Sequence, residues 1–159
     1  MNLNYIWAFA VGIGIVAGLR SLTAPAVVSW AAHLGWLNLH GSPVAFMGST
    51  LAVAIFSLLA IGELVADKLP KTPNRTALVP SLARILTGGL CGACFCASAN
   101  QSLLIGALLG ALGAAIGTFG GYEIRRRLVR KLNIQDIVVA LLEDVIAIAL
   151  ACFLVSRPS

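Results

Sequence analysis

The sequence predicts an all-α fold, a polytopic transmembrane bundle of about five helices that forms one membrane domain over residues 1–159, and three observations carry that prediction. Hydrophobic residues make up 59% of the chain, charged residues only 11%, and the mean hydropathy is +0.95, far above that of a soluble domain. Apolar stretches long enough to cross a bilayer follow one another along almost the whole chain. The polar gaps between them run to no more than about a dozen residues, which leaves no room for a soluble domain.

Taken in order, the first span is expected from Tyr5 to Ala32. No Lys or Arg precedes it, and its apolar character continues to Trp36, past signal-peptide length, so it reads as a retained helix. The second span runs from Val44 to Lys68. Pro43 precedes it, and Pro70, Pro73 and Pro80 keep the following loop from continuing as helix. The third is expected at Leu82 to Ala99 and the fourth at Leu103 to Arg130, with its last two turns outside the hydrocarbon. The fifth covers Asp136 to Val155, with Asn133, Gln135 and Asp136 as N-cap candidates.

Charge asymmetry orients this arrangement. Lys68, Lys71, Arg75 and Arg84 flank the second loop, and Arg125, Arg126, Arg127, Arg130 and Lys131 flank the fourth, while the first and third loops carry no Lys or Arg. For five spans this places the N-terminus in the cytoplasm and the C-terminus outside, with Arg157 the basic residue left on the outer side. The net charge of +5 is then mainly a topology signal, with a secondary attraction to anionic membrane lipids. Nucleic acid is not an expected partner, because the basic residues hug helix ends and no soluble module accompanies them. An odd span count also makes spans one and two antiparallel to spans four and five. Both pairs begin with a Gly ladder followed by Arg, and Leu59 to Glu63 lines up loosely with Val139 to Glu143, so an inverted repeat is one reading.

The chemistry lies in carboxylates at membrane depth: Glu63, Asp67, Glu143 and Asp144. Such groups are costly in lipid and persist where they line a cavity, pair with a cation or carry a proton. Glu63 lies roughly 8 Å from the cytoplasmic end of its helix and Glu143 roughly 10 Å from the same side, so the two are expected at one depth. Glu63 and Asp67, four residues apart, share a helix face and suit a shared cation or proton. Glu143 and Asp144 diverge by about 100°, so only one is expected to face that site. The bland alternative has Asp67 pairing at the interface with Lys68 or Lys71, and Glu63 and Glu143 bonding small polar groups on neighbouring helices.

Arg20 is the remaining intramembrane charge, in a Gly18 to Pro25 stretch whose Gly, Ser, Thr and Pro invite a break. In a straight first span it lies about 22 Å from the cytoplasmic start, in the outer half and away from Glu63, and only re-entry of that span brings the two together. Arg20 reads either as an anion anchor or counter-ion, or as a side chain snorkelling outward. His33 and His40 sit in the outer first loop, where exposed histidines ordinarily have no special role.

Small-residue ladders at Gly14 and Gly18, Gly88 and Gly92, and Gly106 through Gly121 imply close helix packing, and so few helices make a homodimer a reasonable way to complete a pathway. Cys91, Cys94 and Cys96 lack a second ligand pair and read as small hydrophobes rather than a metal site, and no cofactor is implied. With no nucleophile, metal triad or phosphate loop, an enzyme is not expected, an acid and base pair of Glu63 and Asp67 acting on lipid head groups being the weakest reading.

Four stretches carry a family resemblance: Gly18 to Trp30, Gly62 to Pro73, Gly117 to Arg125 and Leu142 to Asp144. Nearly the full chain resembles a family of small bacterial inner-membrane proteins known as a domain of unknown function. The resemblance implies a bacterial polytopic membrane protein and brings no functional residues. Glu63 to Lys68 is also loosely similar to the Glu-x-Gly-Asp-Lys motif of inverted-repeat cation/proton exchangers, with the acidic spacing one residue longer and Ala66 where Gly would stand. The function expected first is a small secondary transporter or channel-like carrier for an ion or solute. In it Glu63 and Glu143 bind a coupling cation or proton, Asp67 assists and Arg20 anchors charge. The alternative is a structural or assembly protein that binds lipid or a partner.

Overall fold

In the computed structural model the described residues are 3–66, 78–132 and 136–156, and they form six α-helices. These are α1 (Leu3–Leu19), α2 (Thr23–His33), α3 (Thr50–Ala66), α4 (Leu78–Ser98), α5 (Leu103–Leu132) and α6 (Asp136–Val155), with a 3-10 turn at Ala45–Gly48 ahead of α3. By length and composition, α4, α5 and α6 suffice to cross a membrane, and α1 and α3 are shorter apolar helices. The chain is a helical membrane protein. Around the bundle Leu51, Leu58, Leu86, Leu104, Ile116 and Val145 are each at least 60% exposed, an apolar surface of the kind that meets lipid.

Six helices replace the five expected because the first apolar run is broken. The last α1 hydrogen bond is donated by the Arg20 amide to Val16, and α2 opens with the Ala26 amide donating to Leu22. Pro25 enforces the restart: it has no N–H to donate and its ring crowds the carbonyl four residues back, so it is tolerated only in a first turn. It stands third in α2.

Helix contacts fix the directions. The Val11 backbone lies against Gly113, Ile15 against Gly117, and the Leu19 side chain against Gly121, so α1 and α5 run parallel. Gly92 meets Gly106 and Gly88 meets Gly110, so α4 is antiparallel to α5. Leu154 packs on Gly12 while Asp144 pairs with Arg20, so α6 is antiparallel to α1. In α2 and α3, Ser21 bonds Glu63 and the Trp30 indole donates to Ser57 Oγ at 3.0 Å, again antiparallel.

The course of α2 follows from its burial. Val28, Ala31 and, beyond the helix, Leu37, Leu39 and Met47 share one core with Ile6 and Ala10 of α1, Cys94 to Cys96 of α4 and Leu154 and Val155 of α6. Those are the helix ends remote from Arg20, so α2 doubles back beside α1. At its far end the Gly35 backbone adopts φ +79, and the Trp36 amide closes the helix on Ala31.

Three expectations change accordingly. The start of α1 and the end of α6 lie at the same end of the bundle, whereas an N-terminus inside and a C-terminus outside need opposite ends; the extra reversal at Arg20 is the cause. The first and fourth spans, α1 and α5, are parallel rather than inverted, and Glu63 and Glu143 both fall near the end where α5 carries its arginines. Arg20 therefore sits at the depth of the carboxylates and not in the opposite half, since the first span re-enters.

The centre is a three-helix seam of α1, α4 and α5 in which glycines let backbones touch. A methyl group at Gly14 would strike the Gly110 carbonyl, one at Gly92 the Gly106 carbonyl and one at Gly117 the Ile15 carbonyl. Cys91, Cys94 and Cys96 are buried in this packing, Cys96 directly against Gly106. By contrast α3 packs chiefly on α2 and the 3-10 turn, and within it only Ala52 and Val53 are buried.

Candidate intramembrane charge cluster

The elbow between α1 and α2 collects the charged groups. Breaking a helix leaves its first amides without carbonyl partners, and lipid offers no water to replace them. Here one side chain takes the two amides just ahead of α2. The Ser21 amide donates to Glu63 Oε1 at 2.8 Å, Ser21 Oγ donates to the same oxygen at 2.6 Å, and the Leu22 amide donates to Oε2 at 2.9 Å. Glu63 thus caps α2 from another helix, where a carboxylate also meets the positive end of the helix dipole.

Arg20, at the last position before the elbow, is fully buried and forms an ion pair with Asp144 of α6. One position earlier on α6, Glu143 turns toward α5: its Oε2 lies 3.8 Å from Arg125 Nη1, and its Oε1 is next to Gly121. Adjacent helix positions diverge, so the two carboxylates each take a different arginine. Thr118 adds a polar tie between α5 and α1, its hydroxyl bonding Ala114 O at 2.8 Å and Gly18 O at 3.3 Å.

Of the residues singled out from sequence, Arg20, Glu63, Glu143 and Asp144 come together around the elbow. Asp67 lies outside the described residues, as do Lys68, Lys71 and Arg75. From the sequence, Arg125 and Arg84 read as loop charges marking a membrane side. Instead Arg125 is the partner of Glu143, and Arg84 is buried in α4, 4% exposed. The Ser21 and Leu22 amides were missed as ligands, although Ser-Leu-Thr-Ala-Pro is the signature of a helix restarting. What this layer can do chemically is bind charge, since every group in it is a hydrogen-bond donor, an acceptor or an ion; among the described residues no three His, Cys, Asp or Glu side chains group as a metal site.

At the opposite end, His33 and His40 line a cavity of about 490 Å³ together with Asn38, Leu39 and Ser49. His33 Nδ1 lies 3.0 Å from the Gly48 carbonyl and donates to it. The basic end is different in kind: Arg126 and Arg127 are well exposed and engage Glu123 along α5, as ordinary surface pairs do.

No curated protein and no solved structure matches this chain. Residues 7–159 match the family described as Domain of unknown function (DUF4126), and the chain belongs to that family.

Proposed function

We propose that this protein is a small carrier of the bacterial inner membrane that moves an ion or solute by way of the charge cluster at the α1–α2 elbow. The observation that carries this reading is the Glu63 carboxylate bound to the start of a re-entrant half-helix, at a break near the arginine-bearing end of an apolar bundle. Discontinuous helices whose N-termini face anionic groups are how many secondary transporters build their sites. Charges buried in a membrane bundle are expensive, and a function is the usual reason to keep them. Two arginines and three carboxylates meet around the elbow, so a proton or cation that neutralises one carboxylate changes which partners the others hold. By the positive-inside rule, the arginine-bearing end of α5 faces the cytoplasm and the start of α1 and the end of α6 face outward.

A second reading has its own support. Each described carboxylate of the cluster already has a protein partner, which suits a scaffold whose charges hold helices together and whose basic rim binds lipid. Proteoliposomes separate the two. Flux of protons, common cations or small anions down an imposed gradient, lost in Glu63→Gln while the variant keeps its fold, is expected for a carrier. Absence of flux under every gradient, with Glu63→Gln changing only unfolding temperature, would leave the scaffold.

A further inference from the structure

The elbow is built to hold a carboxylate, and the one it holds comes from a helix with little burial of its own. Three donors, the Ser21 and Leu22 amides and the Ser21 hydroxyl, close on both oxygens of Glu63 within 2.6 to 2.9 Å. Next along the chain, Thr23 opens α2; it is 4% exposed, and its hydroxyl has no hydrogen-bond partner among the described residues. A buried hydroxyl with nothing to bond costs free energy that a further acceptor would recover. The donor side is thus half-buried and convergent at Ser21 and Leu22, with an unsatisfied hydroxyl next to it at Thr23.

The acceptor side contrasts with it. α3 packs chiefly on α2 and the 3-10 turn, most of its side chains face outward, and Gly62, beside Glu63, has open space where a side chain would project. Among its described residues the polar ties of α3 to α2 are those of Glu63 and the Trp30–Ser57 bond. A competing anion that replaced Glu63 would remove the bonds that tie this part of α3 to the elbow.

We propose that the α1–α2 elbow is a binding site for a carboxylate-bearing ligand and that Glu63 is its displaceable resident. Binding at Ser21, Leu22 and Thr23 releases the Glu63 end of α3. As a statement about cargo this rests on the carrier reading; as a statement about binding it stands on the elbow's geometry and is tested without transport.

The test uses the full chain in detergent. In Glu63→Ala the site is vacated, and sodium acetate is expected to raise the unfolding temperature at a concentration about tenfold below that at which sodium chloride does so. Adding Ser21→Ala to that variant is expected to abolish the difference. Laurate serves as a second arm: a response to laurate alone assigns the carboxylate to a fatty acid, and a response to both assigns it to a small solute. In the wild type, acetate is expected to speed amide exchange in the C-terminal half of α3. Equal responses of Glu63→Ala to all three salts would overturn the site. If that variant does not fold, unchanged α3 exchange in the wild type across the acetate series would do so. Neither result depends on flux, so failure of the carrier reading and failure of this one are told apart.

Discussion

The seam of α1, α4 and α5 and the attachment of α3 solve the same problem by opposite means. In lipid, helices gain nothing from hiding apolar side chains, so association rests on close packing and on polar bonds. The seam uses packing: Gly14, Gly92, Gly110 and Gly117 bring main chains into contact along the helices. α3 uses bonds, with Glu63 on the elbow and Ser57 on Trp30, and little burial. α6 lies between these extremes, joined to α1 by Leu154 on Gly12 and by Asp144 on Arg20. The contrast teaches that a glycine contact is rigid and passive, whereas a carboxylate contact is strong only while its partner and its charge are both present.

Breaking the ion pair should have the largest effect. Asp144→Ala removes a carboxylate paired with the fully buried Arg20, and a loss of about 3 to 5 kcal/mol is expected in reversible unfolding from detergent micelles. Arg20→Met combined with Asp144→Leu should recover most of that loss, since removing both charges removes the desolvation cost. A double variant as unstable as the single one would show that the pair does not act as a unit.

Next comes the seam. Gly110→Ala drives a methyl group into the Gly88 carbonyl, where backbone on both sides leaves little to yield, and a loss of about 1 to 3 kcal/mol is expected in the same assay. Gly62→Ala, on the exposed face of α3, meets nothing and should stay within about 0.5 kcal/mol of the wild type. If the two glycines cost the same, close approach is not what holds the seam.

Hydropathy made much of this legible, because the apolar runs that become α3 to α6 are long, and proline and polar residues punctuate them. The glycine ladders were legible too, as were four members of the charge cluster, since a carboxylate or arginine amid apolar residues stands out. The elbow was legible only as an invitation to break. Whether Gly18 to Pro25 bends a helix or reverses it depends on what waits on either side, and α2 is held back by α3, α4 and α6, all of which come later in the chain. One undetected reversal was enough to put the start of α1 and the end of α6 at opposite ends, and to misjudge the depth of Arg20 and the proposed symmetry. The partners of Glu63 were hidden for a related reason: they are main-chain amides, which carry no signature until the helix that would use them is interrupted.

The shortness of α2 has a consequence for how the protein is made. At 11 residues it is about 16 Å long, roughly half the thickness of the hydrocarbon, so it cannot be a stable crossing by itself. It leaves the ribosome before any helix that will cover it, joined to α1 in one apolar stretch that is long enough to insert as a single tilted helix. The reversal at Arg20 is therefore expected late in assembly, once Glu63 and Asp144 have arrived. A chain truncated after α1 and α2 would be expected to cross the membrane once and to leave His33 on the opposite side from its start.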